Sequence, residues 1–156
     1  MAIKKGMKTE SREEQVRFSF ELEPVAQART RYTSRPYPHE YDPIEVKRFK
    51  RQVNAMATQK MQQLGLEPLN GALEVKMTAY RPIQKSVSKI EHDRRATGMS
   101  LPVVKPDADN YIKSFLDALN GVIWIDDALI TDLHVRKRYS DHPRIEMEVL
   151  KIQQIK

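Results

Sequence analysis

Apolar and polar positions alternate with period two over residues 16–22, where Val16, Phe18, Phe20 and Leu22 would face inward as a half-buried strand. Past residue 42 the period lengthens. Val46, Phe49, Val53, Met56, Ala57 and Leu64 recur at helical spacing, with Asp42-Pro43 as N-cap and first residue and Gly65 as the stop. Alternation returns at Leu73, Val75, Met77 and Ala79, a second strand that Pro82 closes. Val103-Val104 reads as the end of a short strand. From about Asp109 a second apolar stripe begins, formed by Ile112, Phe115, Leu116 and Leu119, with Asp109 as N-cap and Asn120-Gly121 as C-cap. Val122-Ile123-Trp124-Ile125 is a short buried-strand run. Two final strands follow over about 129–139 and 144–151, the latter turning Ile145, Met147 and Val149 inward.

Between these elements, residues 24–42 read as a loop rich in Pro, Arg and Tyr, and 83–101 as a flexible excursion that could carry a short helix around Lys85–Ala96. Residues 1–14 are highly charged and lack apolar periodicity, so they read as a disordered tail ahead of a single domain over 15–156. The element order predicts an α+β domain of two layers, a mixed sheet with two main helices on one face.

Composition narrows the partner. Lys and Arg number 27 against 21 Asp and Glu, a net charge of +6, and the isoelectric point near 9.5 favours a polyanion. The absence of cysteine excludes a disulfide framework, a zinc-thiolate site and a thiol nucleophile. No apolar run approaches a membrane span and the first residues lack the apolar stretch of a signal peptide, so a cytoplasmic protein without a membrane anchor is expected. His39, His92, His134 and His142 show no ligand spacing.

The chemistry concentrates in one stretch. Lys105-Pro-Asp-Ala-Asp-Asn110 is followed by Lys113 and then by Asp126-Asp127, placing four carboxylates and a lysine within a short span. Carboxylate oxygens are hard ligands suited to Mg²⁺ or Mn²⁺, the usual means of attacking a phosphodiester at neutral pH. Each acid also has a plain structural explanation. Asp107 and Asp109 could be turn or cap residues, Asp126-Asp127 a hairpin turn, and Lys113 an i, i+4 partner of Asp109 or Asp117. Their joint appearance favours a site, with Asp117, a further turn along, the most structural of the set.

The string KPDADNYIKSFLDALNGVIWIDDALI, from Lys105 to Ile130, resembles the signature of the RusA family of Holliday-junction resolvases. That family shows a KPDxDN element, a lysine four residues after its second Asp, a DALNG-type helix end and a DD pair. Pro24 to Tyr32 is similar to its N-terminal Pro- and Arg-containing segment but lacks the glycine and the middle proline, and Leu129 stands where the family often has Gln. The resemblance implies Asp107, Asp109 and Asp127 as metal ligands for Mg²⁺ (or Mn²⁺), Lys113 as a catalytic cation and Asp126 as a secondary acid. It also implies a homodimer acting on branched DNA in recombination and repair.

Basic residues offer the DNA contacts. Arg29 and Arg31, with Arg35 and the tyrosines Tyr32, Tyr37 and Tyr41, could grip phosphates and stack on exposed bases, or could be a solvated loop. His134, Arg136 and Arg138 would share one face of a strand, with Leu133 and Val135 on the other. Two other functions stay open at this point: a non-catalytic, structure-selective DNA-binding protein, and a nucleotide-sugar transferase using its D-x-D. The second lacks a Gly-rich phosphate loop and is short for the task.

Overall fold

A computed structural model describes residues 15–154; the expected tail over 1–14 lies outside the described residues. The strands are β1 (Gln15–Phe20), β2 (Arg31–Thr33), β3 (His39–Tyr41), β4 (Leu73–Pro82), β5 (Ile130–Ser140) and β6 (Arg144–Lys151). The helices are α1 (Ile44–Leu64), α2 (Lys89–Ala96) and α3 (Ala108–Leu119). Four strands form one mixed sheet in the order β1-β6-β4-β5, antiparallel except for the parallel pair β4 and β5.

Period-two alternation decides which face is covered. Phe18 and Phe20, Leu73 to Ala79 at every second position, and Ile145, Met147 and Val149 are all buried. They meet Phe49, Val53, Ala57 and Met61 of α1 and Ile112, Phe115, Ala118 and Leu119 of α3 in one core. The α+β, two-layer expectation holds, and the short helix expected in the excursion after β4 is present, starting at Lys89 rather than near Lys85. In this helix, α2, the Ser88 hydroxyl accepts from the Glu91 N–H as a true N-cap. Two cation contacts seat this region: the Arg95 guanidinium lies 4.5 Å from the Tyr139 ring centre, and Arg81 reaches the same ring at 5.7 Å.

Several local expectations are corrected. Residues 24–42 are not only loop, because β2 and β3 pair within them, Arg31 opposite Tyr41. Val103-Val104 is not a strand: both positions beside β4 are taken by β5 and β6, and Val103 is 90% exposed. Val122–Ile125 is a turn, with Gly121 at φ +78° and its N–H donating to the Trp124 carbonyl. Leu69 and Asn120 each form a single bridge with Trp124, and the apolar run reflects the full burial of Ile123 and Trp124 in the core. Leu133 is exposed although Val135 packs on the core, since β5 is the sheet's edge strand. Helix α1 takes Pro43 rather than Asp42 as its N-cap.

Candidate active site

Helix α3 begins two residues earlier than the apolar stripe suggests. Asp107, not Asp109, holds the N-cap position, and its carbonyl accepts from the Asn110 and Tyr111 N–H groups. The Asp107 side chain makes no capping hydrogen bond. It is exposed, with the Lys105 ammonium 3.8 Å away. Asp109 therefore sits in the first turn, where the helix dipole favours an anion. One turn on, Lys113 is exposed and, among the described residues, has no ion-pair or hydrogen-bond partner. The i, i+4 pairing with Asp109 or Asp117 that would have explained it away is not formed. Asp117 instead meets Lys50 at 3.2 Å.

The second acidic element follows the C-terminus of α3. Asn120 accepts, through its side-chain oxygen, the Asp127 backbone N–H at 3.0 Å. Asp126 caps a single 3₁₀ turn over Asp127–Leu129 by accepting from the Ala128 N–H at 3.1 Å. That main-chain donor, together with the Asp127 carboxyl, lowers the Asp126 pKa. Asp127 moves the other way: its hydrogen bond to Asp126, partial burial and the neighbouring negative charge raise it. The pair thus holds a proton more readily than two separated carboxylates would. The sequence pattern marks Asn120 only as a helix end, and its bond to the Asp127 main chain spans seven residues.

The arginine loop is tied to the same helix. The Gln27 N–H donates to the Asn110 carbonyl at 2.8 Å, and the fully buried Ser114 hydroxyl donates to the Val25 carbonyl at 2.6 Å. Gln27 also donates to Asp42, whose other oxygen receives Lys50 at 2.7 Å. Lys50 consequently links α1, the loop and α3. Its donation lowers the Asp42 pKa, and its two acidic partners raise its own against the opposing effect of burial. Arg29 and Arg31 project from this anchored segment, exposed and without an acidic partner among the described residues.

The β5 cations divide. His134 and Arg136 line a shallow polar groove on the sheet's uncovered face with Arg17, Lys76 and Thr78. Glu146 and Glu148 lie in the same groove, and His134 stands 3.8 Å from Glu74, so acids offset part of its charge. Arg138 is half-buried and donates to the Lys137 carbonyl.

As donors, these acids suit a hard divalent cation. They offer oxygen only, Asp107 has an uncapped carboxylate, and the neighbouring Asp126 and Asp127 carboxylates place two negative charges where a cation would relieve their repulsion. Among the described residues, however, no three His, Cys, Asp or Glu side chains stand together as a cluster able to hold a metal. The three ligands that the resemblance implies, Asp107, Asp109 and Asp127, thus do not stand together as a closed cage. Mg²⁺ commonly keeps several waters and uses only one or two protein carboxylates, so either acidic element taken by itself remains compatible with it.

Residues 21–150 match the family described as endodeoxyribonuclease RusA. The chain is also 37% identical over 140 residues to the uncharacterized protein YqaN of Bacillus subtilis (strain 168), covering 88% of this chain and 96% of that protein.

Proposed function

This chain belongs to the RusA family of endodeoxyribonucleases, and we propose that it is a divalent-metal-dependent enzyme resolving Holliday junctions by paired symmetric nicks. The family implies the junction-resolving activity; the assignment of residues and cofactor extends the resemblance of Lys105 to Ile130 to this chain. The observation that supports it most is Lys113, exposed one turn from Asp109 and free of any acidic partner among the described residues. A lysine kept unpaired beside acids is suited to an incoming anion.

In this reading Asp107 and Asp109 would hold the cation at the start of α3; Asp127, the third ligand that the family resemblance implies, lies beyond the other end of that helix, and Asp126 sets its charge and proton balance. Mg²⁺ or Mn²⁺ would supply Lewis acidity toward the phosphate and lower the pKa of a bound water. Lys113 places its charge where negative charge grows on the scissile phosphate, and in a site shielded by DNA that contribution is larger than in water. Arg29 and Arg31 grip backbone phosphates from the anchored loop, while Arg136, with Arg138 beside it, offers a second contact on β5. A two-fold junction cut on opposed strands calls for a two-fold enzyme, hence a homodimer acting in recombination and repair. No helix among the described residues is long and apolar enough to cross a membrane, which fits a DNA substrate.

The ungathered acids are the one observation favouring a non-catalytic junction binder. Incubating the protein with a synthetic four-way junction and Mg²⁺ separates the two. Paired nicks near the branch point support the enzyme, and binding without nicks supports the binder.

A further inference from the structure

The segment leading into Asp107 has no strand neighbour, and Val103 and Val104 are 90% and 52% exposed. Such a segment should wander. Its main chain is nonetheless fastened by two cations. Lys137 donates to the Val104 carbonyl at 2.7 Å and to the Pro106 carbonyl at 3.0 Å. Arg81 donates to the Lys105 carbonyl at 3.0 Å. Three consecutive carbonyls, ending at the residue before Asp107, are thus taken by side chains of the sheet.

Both cations come from rigid ground. Arg81 and Lys137 sit on the adjacent parallel strands β4 and β5, in register with Tyr139 and Ala79 respectively. Both are half-buried, and Arg81 leans on the Tyr139 ring. Charged donors make the stronger class of hydrogen bond, so two ammonium bonds and one guanidinium bond hold this backbone more firmly than neutral groups would.

We propose that Arg81 and Lys137 are positioning residues. They fix the height and direction of the Asp107 loop over the sheet and thereby set the affinity of the acidic site for its divalent cation. The inference rests on the metal-dependent nuclease reading and assigns these two residues no contact with substrate. Groups hydrogen-bonded to a ligating side chain contribute about 10–100-fold in metal affinity or activity, and a main-chain tether one residue from the ligand is expected at the lower end of that range.

The test uses the full chain and three readouts. These are Mn²⁺ affinity of the free protein by electron paramagnetic resonance, single-turnover junction cleavage against Mg²⁺ concentration, and junction binding without divalent cation. Lys137→Met should weaken Mn²⁺ binding by about 10-fold or more and shift the Mg²⁺ dependence of cleavage by a similar factor. Metal-free junction binding and its salt dependence should stay as in the parent protein, and Lys137→Arg, which keeps charge and donors, should restore most of the loss. Unchanged Mn²⁺ affinity in Lys137→Met would overturn the proposal, as would reduced junction binding with a flatter salt slope, which marks a phosphate contact. Should Lys137→Met not fold, Arg81→Met removes the Lys105 tether together with the Arg81 contact to the Tyr139 ring, and must show the same pattern at smaller size, or the proposal fails. A parent protein that binds Mn²⁺ but cuts no junction overturns the nuclease reading while leaving the positioning claim to be judged on Mn²⁺ affinity alone.

Discussion

Asp109 and Lys113 lie one turn apart on α3, each exposed and without a salt-bridge or hydrogen-bond partner at its side chain among the described residues. Their substitution therefore removes little from the fold, and its effect should fall on chemistry. Asp109→Asn is expected to abolish cleavage while junction binding stays equal or tightens, because a ligand oxygen is lost along with a negative charge near DNA. Parallel loss of binding, measured by gel shift in calcium, would instead make Asp109 a helix-start residue. Lys113→Ala should slow single-turnover cleavage far more than it weakens binding. An equal drop in both would reduce it to a phosphate contact. Asp117, which the sequence already marked as structural, accounts for itself through Lys50.

At the level of elements, the basic loop is the part whose role was open. Its backbone is secured to α3 at Gln27 and Ser114, so Arg29 and Arg31 extend from a fixed base rather than a free tether. Replacing both with Ala should weaken junction binding and lower the slope of log K against log salt by about 0.9 per lost contact. An unchanged slope would leave the binding to the β5 face around Arg136. Helix α2 carries a pH dependence of its own. His92 joins it to the β5–β6 turn through Asp141 at 2.7 Å, and this hydrogen bond, with Asp93 adding to it, raises the His92 pKa. A raised folded-state pKa stabilises below the unfolded value of 6.5 and loses that contribution as pH rises through the shifted value. Amide exchange in α2 should accelerate across that window, and Asp141→Asn should flatten the change; exchange indifferent to pH, after correction for its intrinsic rate, would remove the tie. What was readable beforehand follows the same division. Elements α1, β4 and β6 were legible because long apolar periods leave one solution. The β2–β3 ladder is three residues a side and polar, and the Val122–Ile125 run is apolar because it is buried, not because it pairs. The α3 start was displaced because both Asp107 and Asp109 are good cap residues, and periodicity cannot choose between them. The ties of Asn120, Arg81 and Lys137 are long-range and appear only once the sheet is assembled.

Across the whole molecule, the sheet and two helices hold two acidic elements at opposite ends of α3, with a net positive chain around them. That arrangement suits a polyanion bent or opened at a branch more than a small nucleotide, which would need a phosphate-cradling loop. A single chain offers one set of acids, so two opposed nicks require two copies, and junction resolution should depend on a dimer seen in sedimentation. The most direct measurement is incubation of the full chain with an end-labelled, immobile four-way junction and Mg²⁺, beside Asp107→Asn and linear duplex controls. The account predicts paired, symmetric nicks in the junction, none in the duplex, and none with Asp107→Asn. Tight junction binding with no cleavage in Mg²⁺ or Mn²⁺, or cleavage that survives Asp107→Asn, would contradict it.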